Sequence, residues 1–442
     1  MYSKEMESLF GKTGVGVGDT VEISSENGNF EGVIMPRPEI GDLSILVLKL
    51  KSGYNIGIRL DLIKEISLVN KGKREFAFPQ SDAKLKKDLA TIGMIYTGGT
   101  IGSKVDYVTG GVHMLIKPGE LLHEVPELSD IANIEINQPM AIASEDMTHV
   151  EWGKIAHETA KMLNKGMRGV VITHGTDTMH YSSAALSFML DNLNAPVVFT
   201  GAQRSSDRGS SDAFMNLICA ARVATSSDVA EVGICMHETS SDDSCSFIRG
   251  TKVRKMHTSK RDAFKAINNV PICKVSRDGK IEYLSKHREI VEEETKKVIA
   301  NTKFEEKVAI VKAYPNSDPD IVDYYATKGY KGLIIEGTGL GHAPVSPSSS
   351  KGSWIGPIKR AVDMGMVVGM TSQCLYGRVN ENVYRNLRLL HDAGVIYCED
   401  MLPEVAYVKL GFLLGNHSVH AAKELLGVNI KGEITERSEV LF

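Results

Sequence analysis

The chain lacks any apolar run that approaches the roughly 18 residues needed to cross a bilayer. Its first residues, 1–11, contain no apolar stretch like that of a signal peptide. Both absences predict a cytoplasmic protein without a membrane contact. Lys and Arg total 51 and Asp and Glu total 55, for a formal net charge of −4. This balance argues against a protein that coats nucleic acid through its overall charge, although a local basic face stays open.

Several motifs of metal and nucleotide chemistry are also missing. None of the six cysteines lies in a C-x-x-C pair, which predicts reduced thiols, each expected to pack in a core. The thirteen histidines include no H-E-x-x-H, so we predict no metal site. The absence of G-x-x-x-x-G-K-[ST] excludes a P-loop ATPase. With 442 residues, 42% hydrophobic and 24% charged, the chain has the length of about three globular domains.

The first part of the chain reads as short strands, with a tight-turn signal at Asn27-Gly28 between two apolar segments. A second pair of apolar segments follows at 44–50 and 56–60. Several short strands within about 60 residues predict a small β-barrel, which we assign to residues 1–75. The basic stretch after it is assigned to a linker, 76–90. Its lysines fit a solvated surface or, alternatively, a contact to an acidic partner such as RNA.

From about residue 90, apolar strands alternate with helical patterns, as in an open parallel α/β sheet. We assign residues 91–275 to a first α/β domain with the catalytic site, 276–306 to a charged connector and 307–442 to a smaller α/β domain. The polar motifs of the first domain follow strand ends, where ligands bind in such sheets. The glycine cluster Gly337–Gly341 is typical of a tight turn, and a nucleotide-binding loop is the alternative.

Two strand-end loops carry residues suited to chemistry. The first places Thr100 in a glycine-rich turn, which suits a nucleophile beside an oxyanion hole or a plain turn with a local hydrogen bond. The second, residues 173–179, combines a hydroxyl, a carboxylate and a glycine. Thr176 or Asp177 can also cap the following helix. We expect His174 to hold a structural hydrogen bond rather than to act as a general base.

The segments Thr97–Ile101 (TGGTI) and His174–Met179 (HGTDTM) resemble the two signature motifs of the bacterial-type L-asparaginase/glutaminase family in order and spacing. The resemblance covers about residues 90–442 and implies an asparaginase-like α/β architecture of two parallel-sheet domains, here preceded by the small N-terminal β-barrel. The segments Ser205–Asn216 and Arg249–Phe264, with that N-terminal domain, are similar to the glutaminase subunits of archaeal-type glutamyl-tRNA(Gln) amidotransferases.

The resemblance implies a set of functional residues. The catalytic residues that it implies are Thr100 as nucleophile, Thr176, Asp177 and Lys255. The substrate-binding residues that it implies are Tyr107, Ser144 and Glu145. Tyr107 lies in a segment, 103–111, that resembles the mobile lid of the family. Glu145 is a departure, because free-standing members commonly carry Gln there, and the added carboxylate weakens a direct transfer of asparaginase specificity.

The chemistry of these residue types agrees with the resemblance. A threonine hydroxyl is a poor nucleophile at neutral pH and needs a base, which a desolvated lysine can supply. Asp177 would orient Lys255 and pair with the substrate's α-ammonium, and Thr176 would relay the proton. The implied reaction is attack on an amide, loss of ammonia and hydrolysis of the acyl-threonine.

The resemblance also implies partners. They are a GatE-like transamidase/kinase subunit that uses ATP and Mg, tRNA(Gln) bound through the complex, and a second copy of the chain in a homodimer. The chain itself is expected to hold no cofactor. Two alternatives stay open. A free cytoplasmic L-asparaginase has no evident use for the N-terminal domain, and a silent scaffold that docks RNA or a partner has no reason to keep the four catalytic residues.

Overall fold

The computed structural model describes residues 2–35, 44–50, 55–71, 86–99, 101, 104–105, 112–113, 125–204, 211–292, 296–346 and 352–437. It opens with helix α1 (Lys4–Thr13), whose Ser3 side chain accepts a hydrogen bond from the Met6 amide and which ends at Gly14 in a left-handed conformation. Met6 and Phe10, one turn apart, are buried in the core of the N-terminal domain. The helix was not predicted, although a serine cap before an i, i+4 apolar pair is a signal for one.

The N-terminal domain contains one five-stranded sheet. Its strands are β1 (Thr20–Ser25), β2 (Gly28–Ile34), β3 (Ile45–Leu50), β4 (Asn55–Arg59) and β5 (Ile63–Asn70). The order is β4-β3-β2-β1-β5, and each neighbouring pair is antiparallel. The β1–β2 turn is Glu26-Asn27, one position before the predicted signal. A short 3-10 turn, Leu60–Leu62, carries the chain from β4 at one end of the order to β5 at the other. The predicted short strands are therefore present as an antiparallel sheet, and its closure into a small β-barrel stays a prediction.

The first α/β domain contains three helices and fourteen strands among the described residues. The helices are α2 (His149–Asn164), α3 (Met179–Met189) and α4 (Ala213–Ser226). The strands are β6 (Thr91–Tyr96), β7 (Lys104–Val105), β8 (Val112–His113), β9 (Asn133–Asn137), β10 (Val170–Thr173), β11 (Leu190–Asp191), β12 (Val197–Thr200), β13 (Val232–His237), β14 (Ser244–Arg249), β15 (Val253–Lys255), β16 (Phe264–Ala266), β17 (Cys273–Ser276), β18 (Ile281–Tyr283) and β19 (Ile299–Ala300).

Eight of these strands form the main sheet, in the order β18-β17-β14-β13-β12-β10-β6-β9. The five strands from β13 to β9 are parallel, whereas β14, β17 and β18 are antiparallel. The parallel core matches the prediction, but the antiparallel edge was not predicted. Its physical reason is the short connection from β13 to β14, residues 238–243, which leaves no room for a crossover helix. The sheet continues to Tyr283, inside the segment that we had assigned to the connector.

The C-terminal domain is a four-stranded parallel sheet with helices. Its strands, in spatial order, are β20 (Val308–Lys312), β21 (Gly332–Gly337), β22 (Val367–Ser372) and β23 (Val395–Tyr397). Its helices are α5 (Asp320–Thr327), α6 (Ile355–Asp363), α7 (Arg385–Asp392), α8 (Pro403–Asn416) and α9 (Val419–Leu426). The glycine cluster after β21 forms a tight turn in which Thr338 and His342 exchange backbone hydrogen bonds of 2.9 Å.

One apolar core spans both α/β domains. Leu186 and Phe188 of α3 share a buried cluster with Ile334 of β21 and with Leu410 and Leu413 of α8. Because protein interiors are close-packed, this shared core holds the C-terminal domain in a fixed position against the first sheet. The carboxyl ends of the parallel strands therefore face a defined set of C-terminal residues.

Two predictions from composition can be compared with the structure. Five of the six cysteines are buried free thiols, but Cys374 is exposed, so core packing was the wrong expectation for that residue. Over the part of the chain that the structure describes, no helix is both long and apolar enough to cross a bilayer.

Candidate active site

Three loops meet at the carboxyl ends of the adjacent strands β6, β10 and β12. Backbone hydrogen bonds extend the sheet into these loops. The amide and the hydroxyl of Thr97 donate to the carbonyl of Thr173, at 3.2 and 2.8 Å. The amide of His174 donates to the carbonyl of Thr200 at 2.9 Å. The loops that carry the two sequence motifs are therefore neighbours, as their strand-end positions predicted.

Glycine backbones allow these loops to touch. Gly99 has φ of 86°, and a Cβ placed on it would lie 2.5 Å from the backbone nitrogen of Gly175. A Cβ on Gly175 would in turn lie 2.7 Å from the Cβ of Ser144. Since real Cβ atoms essentially never approach other atoms within 3.0 Å, a side chain at either position would push the loops apart. The glycines thus bring the Thr97, His174 and Ser144 segments together.

Lys255 joins the second motif in space. Its Nζ donates to the hydroxyl of Thr176 at 2.9 Å and to the carboxylate of Asp177 at 2.7 Å. The Lys255 side chain is only 10% exposed, whereas the Asp177 side chain is 68% exposed. Thr176 is buried. A nearly buried ammonium in contact with a hydroxyl and an open carboxylate is an arrangement that can pass a proton along the hydroxyl and bind a cationic substrate group at the carboxylate.

The two predicted substrate-binding residues near β9 occupy different environments. Ser144 begins a short 3-10 turn, Ser144–Asp146, and is buried. Its carbonyl accepts a hydrogen bond of 2.5 Å from the hydroxyl of Thr178, one residue beyond Asp177. Glu145 is exposed on the same turn. Ser144 therefore belongs to the packed wall of the site, and Glu145 presents a carboxylate to solvent beside it.

Two predicted residues, Thr100 and Tyr107, lie outside the described residues, and their roles stay predictions. Their surroundings are partly described, since Gly98 and Gly99 both have positive φ and Ile101 is fully buried. The basic linker is also largely outside the described residues. The lysines described on either side of the undescribed part are paired, Lys71 of the N-terminal domain with Asp19 at 2.9 Å and Lys86 of the linker with Asp130 at 2.8 Å.

His174 is a structural residue, as expected. Its ring is fully buried, and burial lowers its pKa to about 4, against a smaller opposite effect of its hydrogen bond with Gly175. Nδ1 donates to the Gly175 carbonyl at 2.6 Å, and Nε2 accepts from the hydroxyl of Ser182 at 2.8 Å. That hydroxyl accepts from the Trp152 indole at 2.9 Å. A neutral ring with both nitrogens engaged holds the loop and is not available as a base.

Asp212 and Asn216 were not predicted, yet they fix the third loop. The buried carboxylate of Asp212 accepts hydrogen bonds of 3.0 to 3.1 Å from the amides of Gln203 and Arg204. The side chain of Asn216 donates to the Gly201 carbonyl at 2.9 Å. An acidic residue directly before the apolar pattern of α4 is a helix-start signal that could have drawn attention to Asp212.

The family of the chain follows from comparison with known proteins. Residues 91–289 match the model of the asparaginase N-terminal domain, 307–425 that of the glutaminase/asparaginase C-terminal domain, and 15–69 that of the GatD N-terminal domain. The chain is 52% identical over 438 residues to the GatD subunit of glutamyl-tRNA(Gln) amidotransferase from Pyrococcus furiosus, with 97% of each chain covered. It belongs to the GatD family. The GatD subunit of Thermococcus kodakarensis is 50% identical, with 98% of this chain and 97% of that one covered.

Solved structures relate the GatD family to L-asparaginases. The thermostable L-asparaginase of Thermococcus kodakarensis is 27% identical, with a TM-score of 0.70, 78% of this chain and 99% of that chain covered. L-asparaginase I of Vibrio cholerae is 30% identical, with a TM-score of 0.68 and the same coverage. The predicted asparaginase-like fold is therefore confirmed, and the GatD family adds an N-terminal antiparallel domain to it.

Proposed function

We propose that this chain is the glutaminase subunit of a tRNA-dependent amidotransferase. It hydrolyses glutamine to glutamate and ammonia, and a partner subunit uses the ammonia to convert Glu-tRNA(Gln) to Gln-tRNA(Gln). Near-full-length similarity to GatD subunits of glutamyl-tRNA(Gln) amidotransferases supports this function. The observation that carries the chemistry is the contact of the Lys255 ammonium with Thr176 and Asp177.

In the proposed mechanism, Thr100 attacks the amide carbon of glutamine. The hydroxyl of Thr176 passes the Thr100 proton to Lys255, and the same route returns it to the departing NH₂ group, which leaves as ammonia. Water then hydrolyses the acyl-threonine to release glutamate. Amides of the glycine turn before Thr100 are suited to stabilise the oxyanion. The exposed carboxylate of Asp177 orients Lys255 and receives the substrate's α-ammonium.

The proposal includes the assembly. A GatE-like transamidase/kinase subunit, with its own ATP and Mg, accepts the ammonia, and tRNA(Gln) binds through the complex. The chain itself forms a homodimer, works in the cytoplasm and uses no cofactor. Because its net charge is −4, most phosphate contacts come from the partner, and the chain alone binds tRNA weakly at physiological salt.

A free L-asparaginase is the second candidate, favoured by the solved structures that share the α/β fold. Two observations weigh against it. Residues 15–69 form a domain that matches the GatD N-terminal model, and a lone hydrolase has no evident use for it. Glu145 also adds an exposed carboxylate beside Ser144, which disfavours a direct transfer of asparagine specificity.

Ammonia release decides between the two candidates. We would measure it with glutamine and with asparagine, for the chain alone and for the chain with its partner and acylated tRNA, using Thr100→Ala as the inactive control. The amidotransferase function predicts slow release alone and a rise with glutamine when both additions are present. Full activity in isolation with asparagine preferred would favour the free hydrolase, and tight, salt-sensitive tRNA binding by this chain alone would move the RNA site onto it.

A further inference from the structure

The strand that presents Lys255 lies outside the main sheet. Strand β15 pairs only with β16 among the described residues, in a hairpin whose register places Lys255 opposite Phe264. Each strand has three residues, so few backbone hydrogen bonds fix the hairpin, and none of its ladder bonds joins the eight-stranded sheet that positions Thr176 and Asp177. Side-chain contacts therefore help to hold Lys255 within reach of these two residues.

The C-terminal domain supplies two such contacts, on either side of Val253. Lys252 forms an ion pair of 2.7 Å with Asp400, and both side chains are almost fully buried. Arg254 forms an ion pair of 3.4 Å, Nε to Oε1, with Glu404 in the first turn of α8. Side chains alternate along an extended strand, so Lys252 and Arg254 face the C-terminal domain while Val253 packs in the core and Lys255 reaches the site.

Glu404 pairs with Arg254, the residue next to Lys255 in β15. Its side chain is 4% exposed, and burial raises its pKa while Arg254 opposes the rise. Among the described residues, the basic groups within 4.0 Å of it are Arg254 and, at 3.8 Å, His180. Burial lowers the pKa of His180 to about 3, with Arg254 and Lys255 lowering it further, so that ring is neutral at physiological pH. Oε1 of Glu404 has no hydrogen-bond partner among the described residues. The positive charge that compensates the Glu404 carboxylate is that of Arg254, whose Nε lies 3.4 Å from Oε1.

We propose that Glu404 is a positioning residue for Lys255. Through its ion pair with Arg254, it holds the end of β15 against the C-terminal domain and keeps the Lys255 ammonium within hydrogen-bond distance of Thr176. The C-terminal domain thus takes part in the geometry of the proton relay without touching the substrate. This inference rests on the proposed function only for its readout, which is glutamine turnover.

Glu404→Gln and Arg254→Gln, each made in the full chain assayed with its partner, test the inference. Both variants remove the ion pair between Arg254 and Glu404. Each single variant and the double variant should therefore lower kcat by a similar factor, about 10- to 100-fold. KM should stay within about twofold, because the change affects the chemical step rather than substrate binding. Glu404→Asp, which keeps the charge on a shorter side chain, should recover part of kcat.

The matched control is Asp19→Asn. Asp19 is a buried carboxylate of the N-terminal domain in an ion pair of 2.9 Å with Lys71, and the variant should lower the melting temperature without lowering kcat. Equal losses of kcat in Asp19→Asn and Glu404→Gln would assign Glu404 a merely structural role. Wild-type kcat in folded Arg254→Gln would also overturn the inference, even if Glu404→Gln fails to fold, because this variant removes the same ion pair from its partly exposed side. A wild-type chain that releases no ammonia contradicts the proposed function instead.

Discussion

Lys255→Met should nearly abolish glutamine turnover while leaving the protein folded. Methionine has a similar length but cannot donate or accept the two short contacts that Lys255 makes with Thr176 and Asp177. General-base catalysis typically contributes about 100- to 10,000-fold, which corresponds to roughly 3 to 5 kcal/mol in the activation barrier. We therefore expect kcat to fall by that factor.

The cost in stability should be much smaller. Asp177 loses a partner, but its side chain is 68% exposed, so water replaces the lost contact. Thr176 is buried, and its unpaired hydroxyl accounts for most of the penalty, about 1 to 2 kcal/mol. A domain stable by roughly 5 to 15 kcal/mol stays folded after such a loss. Misfolding would therefore not explain a fall in kcat.

Ammonia release under saturating glutamine measures the effect, and thermal unfolding measures stability. Lys265→Met is the matched control, because Lys265 lies on the paired strand β16 and makes its ion pair, 3.0 Å, with Asp262. It should retain near wild-type turnover. If folded Lys255→Met kept more than about a tenth of the wild-type rate, outside the range of general-base effects, Lys255 would not be the base.

Three further predictions follow from the same geometry. Mass spectrometry of chain quenched with glutamine should find a glutamyl adduct on Thr100, and an adduct on Thr176 would reverse the two roles. Because His174 is neutral when folded, with a pKa near 4, but takes a proton near pH 6.5 when unfolded, this residue alone should lower the unfolding free energy by roughly 3 kcal/mol as the pH drops from 6.5 to 4. Urea unfolding should show a weaker pH dependence in His174→Asn; an unchanged dependence contradicts this. Gly99→Ala should lower the melting temperature more than Gly166→Ala, because both have φ near 90° but only Gly99 faces backbone at 2.5 Å; equal losses would refute the close approach.

The elements that depend on a local pattern of apolar and polar residues could be predicted from the sequence. The parallel strands β10 and β12 are recognisable in the sequence, because a fully buried strand is a continuous apolar run between polar loops. The two motif loops could be placed at strand ends, because their polar residues begin where the apolar runs stop. The antiparallel edge was missed because its outer strands have only four and three residues, too few for an alternating pattern to be recognised.

Contacts between distant residues could not be predicted from periodicity. Lys255 and Thr176 are separated by 79 residues along the chain, and only the family resemblance indicated that they meet. Glu404 reads in the sequence as an ordinary acidic residue in the first turn of a helix, where such residues are common. Its burial beside Arg254 depends on how two domains pack, which no single segment encodes.

The supports of the Lys255 hairpin have a consequence for biosynthesis. Lys252 pairs with Asp400, 148 residues later, and the Thr251 hydroxyl donates to the Lys431 carbonyl, 180 residues later. During translation the N-terminal part of the chain leaves the ribosome first, and each domain folds as it emerges. The nascent first α/β domain therefore carries Thr176, Asp177 and Lys255 before the residues that hold the hairpin exist. We therefore expect the hydrolytic geometry to form only after the C-terminal domain has been translated, so a product truncated before that domain would be a poor source of free ammonia.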